Sequence, residues 1–277
     1  MSCFHPTLIR NPNFPKSYIQ VPCGKCSGCR RDKQNSWYIR FIEENKRLPC
    51  RFITLTYDDD NIPFTIDNDE VVHYQVLKED LQKFFKRMRK THAFKYFAVS
   101  EYGTETQRPH YHLLLFSKDR IDIEHYWKYG FVTDLPASKG AFRYCTKYLL
   151  KGSNVPAGSN DNFMLCSKRP AIGKDFTDQC DNQLNRLLEN PVYYINDVPY
   201  PLPRYFRKKF YEKLIDGGES LKNSIMEDLA STFKESSIWK RFVKNHDPEK
   251  EDFFQWTLAQ EAQNNSKQIT VKKSSKL

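Results

Sequence analysis

The sequence of 277 residues has no apolar run approaching the ~18 residues that cross a bilayer. The opening MSCFHPTLIRNP lacks the apolar centre of a secretory signal. The chain is therefore expected to be soluble and intracellular, with no membrane partner. No GxxxxGK[ST] loop is present, which removes the usual phosphate cradle of an NTPase. No long internal repeat is visible. Acidic residues are the scarcer charge, 34 against 44 basic ones, for a net charge of +10. That surplus favours a polyanionic partner, nucleic acid or anionic lipid. Histidine is scarce too, with seven in the chain. Two of the seven stand one residue apart, in RPHYHLLLF (108–116).

Alternate residues of a strand share a face. His110, His112, Leu114 and Phe116 then line one side, and Tyr111, Leu113 and Leu115 the other. KYFAVSEYG (95–103) reads as the preceding strand. The short polar link TETQRP makes the two an antiparallel hairpin and brings Glu101 near His110. Two imidazoles and a carboxylate leave metal positions open for water or substrate. The plain alternative is a pair of surface histidines beside a solvated glutamate. The donor set Glu101, His110 and His112 suits a zinc hydrolase. It equally suits a ferrous oxygenase, or a Mg²⁺ or Mn²⁺ site that grips phosphate.

The segment AFRYCTKYLLKG (141–152) separates these readings. On a helix Tyr144 and Tyr148 share one face, with Lys147 and Lys151 on or beside it. A tyrosine is a poor nucleophile at neutral pH, its reference pKa being about 10. A metal-neutralised phosphoryl group makes it useful, and Lys147 can stabilise the charge that develops. Two tyrosines allow two successive transfers without release of the first product. Tyr148 is expected to make the first cut. The alternative is that both tyrosines merely form the helix's aromatic packing face.

Elsewhere the sequence predicts a loop over 1–29, broken by Pro6, Pro12, Pro15 and Pro22, and a helix over 30–47. RFITLTY (51–57) reads as a strand and LKEDLQKFFKRMRK (77–90) as an amphipathic helix. A short helix around IEHYWKYG, a strand at FVTD, a helix within 176–189, a hairpin over 192–200 and a helix over 204–214 follow. DGGES (216–220) marks a boundary, beyond which polar helices and a disordered basic tail are expected. Strands with interspersed helices and hairpin links favour an α+β fold with a mostly antiparallel sheet. Three segments result: a Cys-rich N-terminal piece with its helix (1–50), a central domain (51–215) and a helical extension (216–277).

Cys23, Cys26 and Cys29 form C-x2-C-x2-C in PCGKCSGCRR. That spacing fits a structural zinc ordering the N-terminal loop against the following helix, with Cys3, His5 or Cys50 as fourth ligand and Cys3 preferred. The continuation expected of a bacterial iron–sulfur site is absent. Cys145, Cys166 and Cys180 are expected to be packing residues. The basic runs supply candidate DNA contacts at Arg108, Lys151, Arg204, Arg207 and Lys208. Twenty Phe and sixteen Tyr offer platforms for bases, with Tyr205 and Phe206 as candidates.

RPHYH, the upstream EYG and the Y-x-x-K-Y that follows resemble the HUH endonucleases, which initiate rolling-circle replication. VPCGKCSGCR, FITLTYDDDNIP, EYGTETQRPHYHLLLF, SKRPAIGKDF and LPRYFRKKF together resemble the replication initiators of microviruses, especially the gokushovirus branch. The resemblance spans roughly residues 1–215. It implies an HUH-type central sheet flanked by helices, with FITLTY as the central core strand. It also implies a metal-dependent single-strand nickase and ligase that acts at a viral origin through a 5′-phosphotyrosine. The setting would be the host bacterial cytoplasm, with host replication helicase and polymerase as candidate partners. Tyr111 replaces the usual aliphatic residue between the histidines; it points to the opposite face and needs only to pack. The competing reading is a non-catalytic single-stranded nucleic-acid-binding protein with structural metal sites.

Overall fold

The proline-rich start carries more regular structure than expected: β1 (Thr7–Arg10) pairs antiparallel with β2 (Tyr18–Val21). TLIR and YIQV are short runs rich in β-branched or aromatic residues, and Pro6 and Pro22 sit just outside them. α1 (Ser27–Asn45) begins ahead of the expected residue 30. The structure, a computed structural model, describes residues 3–10, 18–147, 155–179, 191–215 and 244. Tyr148, Lys151 and Cys180 lie outside these residues, as does all of the expected C-terminal extension except Lys244. The chain divides into two compact units, one of Met1–Lys33 with Lys208–Leu277 and one of Gln34–Arg207.

The second unit is built on one sheet. β3 (Cys50–Tyr57) is followed by a small hairpin of β4 (Phe64–Ile66) and β5 (Val72–Tyr74), then α2 (Lys78–Met88). β6 (Lys95–Tyr102) and β7 (Pro109–Phe116) form the expected antiparallel hairpin. α3 (Ile123–Tyr126), β8 (Gly130–Pro136), α4 (Lys139–Lys147), β9 (Met164–Cys166) and α5 (Lys174–Gln179) follow. β10 (Val192–Ile195) and β11 (Val198–Pro201) make a separate hairpin before α6 (Arg204–Ile215). The sheet order is β8-β3-β7-β6-β9, every pair antiparallel. The α+β fold class is therefore as expected. The strand at the centre, however, is β7, the histidine strand, with FITLTY beside it. Pairing on both edges explains why LLLF can be apolar on both faces.

Each face of the sheet meets a helix. Ile53, Leu55, Tyr57, Tyr111, Leu113 and Leu115 bury against Leu81, Phe84, Phe85 and Met88 of α2. Phe97, Val99, Leu114 and Phe116 bury against Trp37 and Phe41 of α1 and Phe142 and Cys145 of α4. Each such side chain removed from water contributes on the order of 1.5–3 kcal/mol. Gly130 is required where β8 closes on β3. Its φ is +140°, and a Cβ there would overlap the Asp58 backbone nitrogen and lie 2.6 Å from the Thr56 carbonyl oxygen.

Candidate functional site

The ladder registers decide what stands together. Glu101 pairs with His110, His110 with Thr56 and Thr56 with Phe131, one row across four strands. The next row is Val99, His112, Thr54 and Thr133. Directly paired residues share a face. The two histidines, Glu101 and both threonines therefore lie on the side covered farther along by α1 and α4.

Thr54 Oγ1 is 3.1 Å from His112 Nδ1, and Thr56 Oγ1 is 3.0 Å from His110 Nδ1. Each hydroxyl is placed to accept the Nδ1–H. That tautomer leaves both Nε2 lone pairs to face outward, as a metal ligand requires. Burial holds the His110 pKa below its usual value; the adjacent His112 and Arg108 add to the effect, and Glu101 opposes it. A neutral imidazole is the metal-binding form. A Cβ on Gly103 would lie 3.3 Å from His110 Nε2, so glycine keeps that nitrogen open. His112 Nε2 stands 3.1 Å from Glu101 Oε2.

α4 delivers the tyrosine. Ser138 caps its start, accepting the Ala141 N–H at 3.2 Å. Phe142, Cys145 and Thr146 are buried and fix the helix's rotation. Tyr144 is left at the rim, 36% exposed. Its hydroxyl donates to Glu101 Oε2 at 3.2 Å and lies 3.4 Å from His112 Nε2. The His112 ring lies parallel to Phe52 at 5.7 Å and edge-on to Tyr144 at 5.1 Å. Lys147 Nζ is 5.8 Å from the Tyr144 ring centre. The structure thus brings Glu101, His112 and Tyr144 into direct contact, with His110 alongside. His110 does not join Glu101 and His112 in a group as tight as the cysteine cluster below.

Arg108 lies at the mouth of β7, donating to the Tyr57 carbonyl at 3.1 Å and paired with Asp59. Arg204 is exposed, and Lys208 pairs with Glu212 at 3.7 Å. Phe206 does not offer a base platform. It is fully buried against Phe176, with ring centres 4.6 Å apart. Tyr205 lies on the Arg40 guanidinium, 4.4 Å from its ring centre.

A second centre lies in the first unit. The Sγ atoms of Cys3, Cys23, Cys26 and Cys29 all lie within 4.8 Å of one another, the only such group of metal-ligand atoms among the described residues. Cys23 and Cys29 sulfurs are 4.0 Å apart, and Cys26 and Cys3 sulfurs 3.9 Å. Tetrahedral zinc with Zn–S of about 2.3 Å sets sulfurs roughly 3.8 Å apart. Backbone N–H groups of Phe4, Cys23, Cys26 and Cys29 donate to Cys26, Cys3, Cys23 and Cys26 sulfurs at 3.3–3.5 Å. Burial pushes the Cys3 thiol up to about 11. At Cys23 burial is outweighed by the N–H groups of Cys26 and Lys25 and by neighbouring thiols, which bring it down to about 7. The arrangement can hold a metal. Cys50, an alternative fourth ligand, is buried in the sheet's core instead.

Thr54, Thr56 and Gly103 did not stand out as site residues in the sequence. The signal was present: T-x-T in FITLTY places two polar residues on one face of an otherwise apolar strand, with the period of H-x-H.

Residues 50–153 match the family model of the replication-associated protein ORF2 type. The replication-associated protein ORF2 of Spiroplasma virus 4 is 38% identical over 117 residues, 39% of this chain and 36% of that protein. The replication-associated protein ORF4 of Chlamydia phage 1 is 26% identical over 279 residues, 85% of this chain and 64% of that protein. The replication-associated protein VP4 of Bdellovibrio phage phiMH2K is 27% identical over 257 residues, 80% of this chain and 79% of that protein. The chain thus spans about a third and just under two thirds of the first two relatives. No solved structure matches it. The chain is a relative of microvirus-type replication-associated proteins, as its motifs indicated.

Proposed function

We propose that this chain initiates rolling-circle replication of a single-stranded DNA phage, nicking and rejoining one strand at the viral origin through a 5′-phosphotyrosine. The observation that carries the reading is the Tyr144 hydroxyl, 3.2 Å from Glu101 and 3.4 Å from His112 on an open corner of the sheet. The names of the phage relatives support the replication role.

Mg²⁺ or Mn²⁺ held by Glu101, His110 and His112 would neutralise the scissile phosphate and polarise it toward attack. The threonines fit that role by fixing both imidazoles, and Gly103 by leaving room at His110. Glu101 accepts the Tyr144 O–H and is placed to draw off its proton. The phenolic oxygen then forms the bond to phosphorus. The bond to the 3′ oxygen breaks, and that oxygen takes a proton to leave as a free 3′ hydroxyl, the start point for a polymerase. Lys147 offsets the charge that builds in the transition state or supplies the leaving oxygen's proton. Tyr148 would take the second transfer, or the first. Arg108, Lys151, Arg204, Arg207 and Lys208 would hold the DNA backbone.

The cysteine centre is proposed to hold Zn²⁺ that orders the N-terminal segment. Single-stranded origin DNA is the proposed partner, with host helicase and polymerase acting on the nicked product in the bacterial cytoplasm. Among the described residues no helix is long and apolar enough to cross a membrane.

The test is denaturing electrophoresis of the protein with labelled origin oligonucleotide and Mn²⁺. Tyr144→Phe and Tyr148→Phe should each retain some covalent adduct, and the double variant none. An adduct in the double variant would place the nucleophile elsewhere. No adduct with the unaltered chain would favour the non-catalytic binding protein.

A further inference from the structure

The sheet face that carries the histidines also carries an apolar ledge that the nicking chemistry does not use. β8 alternates strictly. Val132 packs on the α2-side core and Asp134 pairs with Arg51. Phe131, Thr133 and Leu135 turn to the opposite side, with Phe131 67% and Leu135 53% exposed. A single exposed phenylalanine is ordinary. Two large apolar side chains on one edge strand are a liability that folded proteins usually blunt with charge.

Their register gives them a use. Phe131 closes the row of Glu101, His110 and Thr56, four residues side by side on one face. At about 4.8 Å per strand, its backbone lies about 10 Å from that of His110. Thr133 stands in the row of Thr54 and His112. Leu135 pairs with Phe52, whose ring lies parallel to His112. A strip of aromatic, aliphatic and hydroxyl side chains therefore runs from the candidate phosphate position to the open edge of the sheet.

We propose that Phe131 is a base-stacking platform for single-stranded DNA, with Leu135 as its flank. It seats an unpaired base beside the phosphate held at Glu101 and the histidines. The proposal rests on the single-strand nicking reading and adds the residue that positions the substrate. Stacking on a phenyl face tolerates every base, whereas the chain's net charge of +10 attracts only the backbone. The ledge supplies what charge does not: a preference for bases whose faces are free, which a duplex keeps stacked.

The test compares two fluorescein-labelled strands of about 16 nucleotides, near the upper site size of single-strand binding folds. One is oligothymidylate; the other is its wholly abasic counterpart, with the same charge and no bases. Binding is read by anisotropy without added divalent metal. Phe131→Ala should weaken oligothymidylate binding about tenfold and leave the abasic strand unchanged, and Phe131→Trp should restore the wild-type preference. Phe64→Ala, at a comparably exposed phenylalanine on β4 (56%), should change neither. Unchanged oligothymidylate binding by Phe131→Ala, or equal losses on both strands, would overturn the platform. Cleavage is scored separately. Adduct formation with no Phe131 effect removes the platform alone. A Phe131 effect with no adduct removes the nicking reading and leaves the platform in a single-strand-binding protein.

Discussion

Thr54 and His112 face each other across the β3–β7 ladder, with Oγ1 3.1 Å from Nδ1, and Thr56 repeats the contact with His110 at 3.0 Å. The second strand thus orients the ligands that the first one carries. Replacing both threonines with valine keeps their shape and removes the hydroxyls. Thr54→Val/Thr56→Val should lower divalent-metal affinity about 10–100-fold, the usual cost of losing such a partner. Isothermal titration with Mn²⁺ measures it, and adduct yield should recover at high Mn²⁺. Unaltered affinity would show that the threonines do not set the imidazoles.

Burial places His110 below its ordinary pKa, so the folded state resists protonating it. The unfolded chain binds that proton more readily. Stability is therefore unaffected above the unfolded value of about 6.5 and is lost as pH falls through it toward the lower folded value. In metal-free buffer, the melting temperature of the wild type should drop between about pH 7.5 and about pH 5 by more than that of His110→Gln. Parallel pH profiles for the two proteins would count against a strained neutral histidine.

Much of this site could be read in the chain. H-x-H on an apolar strand, a short polar link and an upstream glutamate were enough to place Glu101 opposite His110, because strand alternation and hairpin pairing are local rules. The Y-x-x-K-Y helix was legible for the same reason. The position of FITLTY beside the central strand was not, since strand order is set by non-local pairing with β8. Phe206 looked available to DNA because α6 is rich in basic residues. Its burial against Phe176 depends on a contact thirty residues away in sequence. β1 and β2 were hidden by prolines that lie outside both strands.

Tyr111, between the two histidines, does more than fill space. Its hydroxyl donates to the Leu77 carbonyl at 3.0 Å, accepts the Leu77 N–H at 2.8 Å and stands 2.9 Å from the Tyr57 hydroxyl. Leu77 is the N-cap of α2 and has no side chain able to cap, so Tyr111 satisfies that terminus from the sheet. Tyr111→Phe leaves those buried groups short of a partner and should cost about 1–3 kcal/mol. Urea denaturation reads the loss. Mn²⁺ affinity should stay within error of wild type, because Tyr111 faces away from the histidine side.

The cysteine centre yields the sharpest choice among ligands. Cys23, Cys26 and Cys29 come from one short segment, and the fourth was open between Cys3, His5 and Cys50. Cys50 lies in the sheet's core, whereas the Cys3 sulfur sits 3.9 Å from that of Cys26 and accepts the Cys23 N–H at 3.3 Å. A segment with few apolar residues gains most of its order from such a site, since metal binding and folding are one equilibrium there. Purified protein should carry about one zinc per chain by plasma mass spectrometry, and His5→Asn should keep it. Cys3→Ser should bind it far more weakly and release it to a chelating dye, with Glu101, His110 and His112 intact. Exchange of the zinc for Co²⁺ should give the thiolate charge-transfer bands of a four-sulfur site. Zinc lost in His5→Asn but kept in Cys3→Ser would give the fourth position to the histidine. Zinc kept in Cys26→Ser/Cys29→Ser would remove the centre from this cluster altogether.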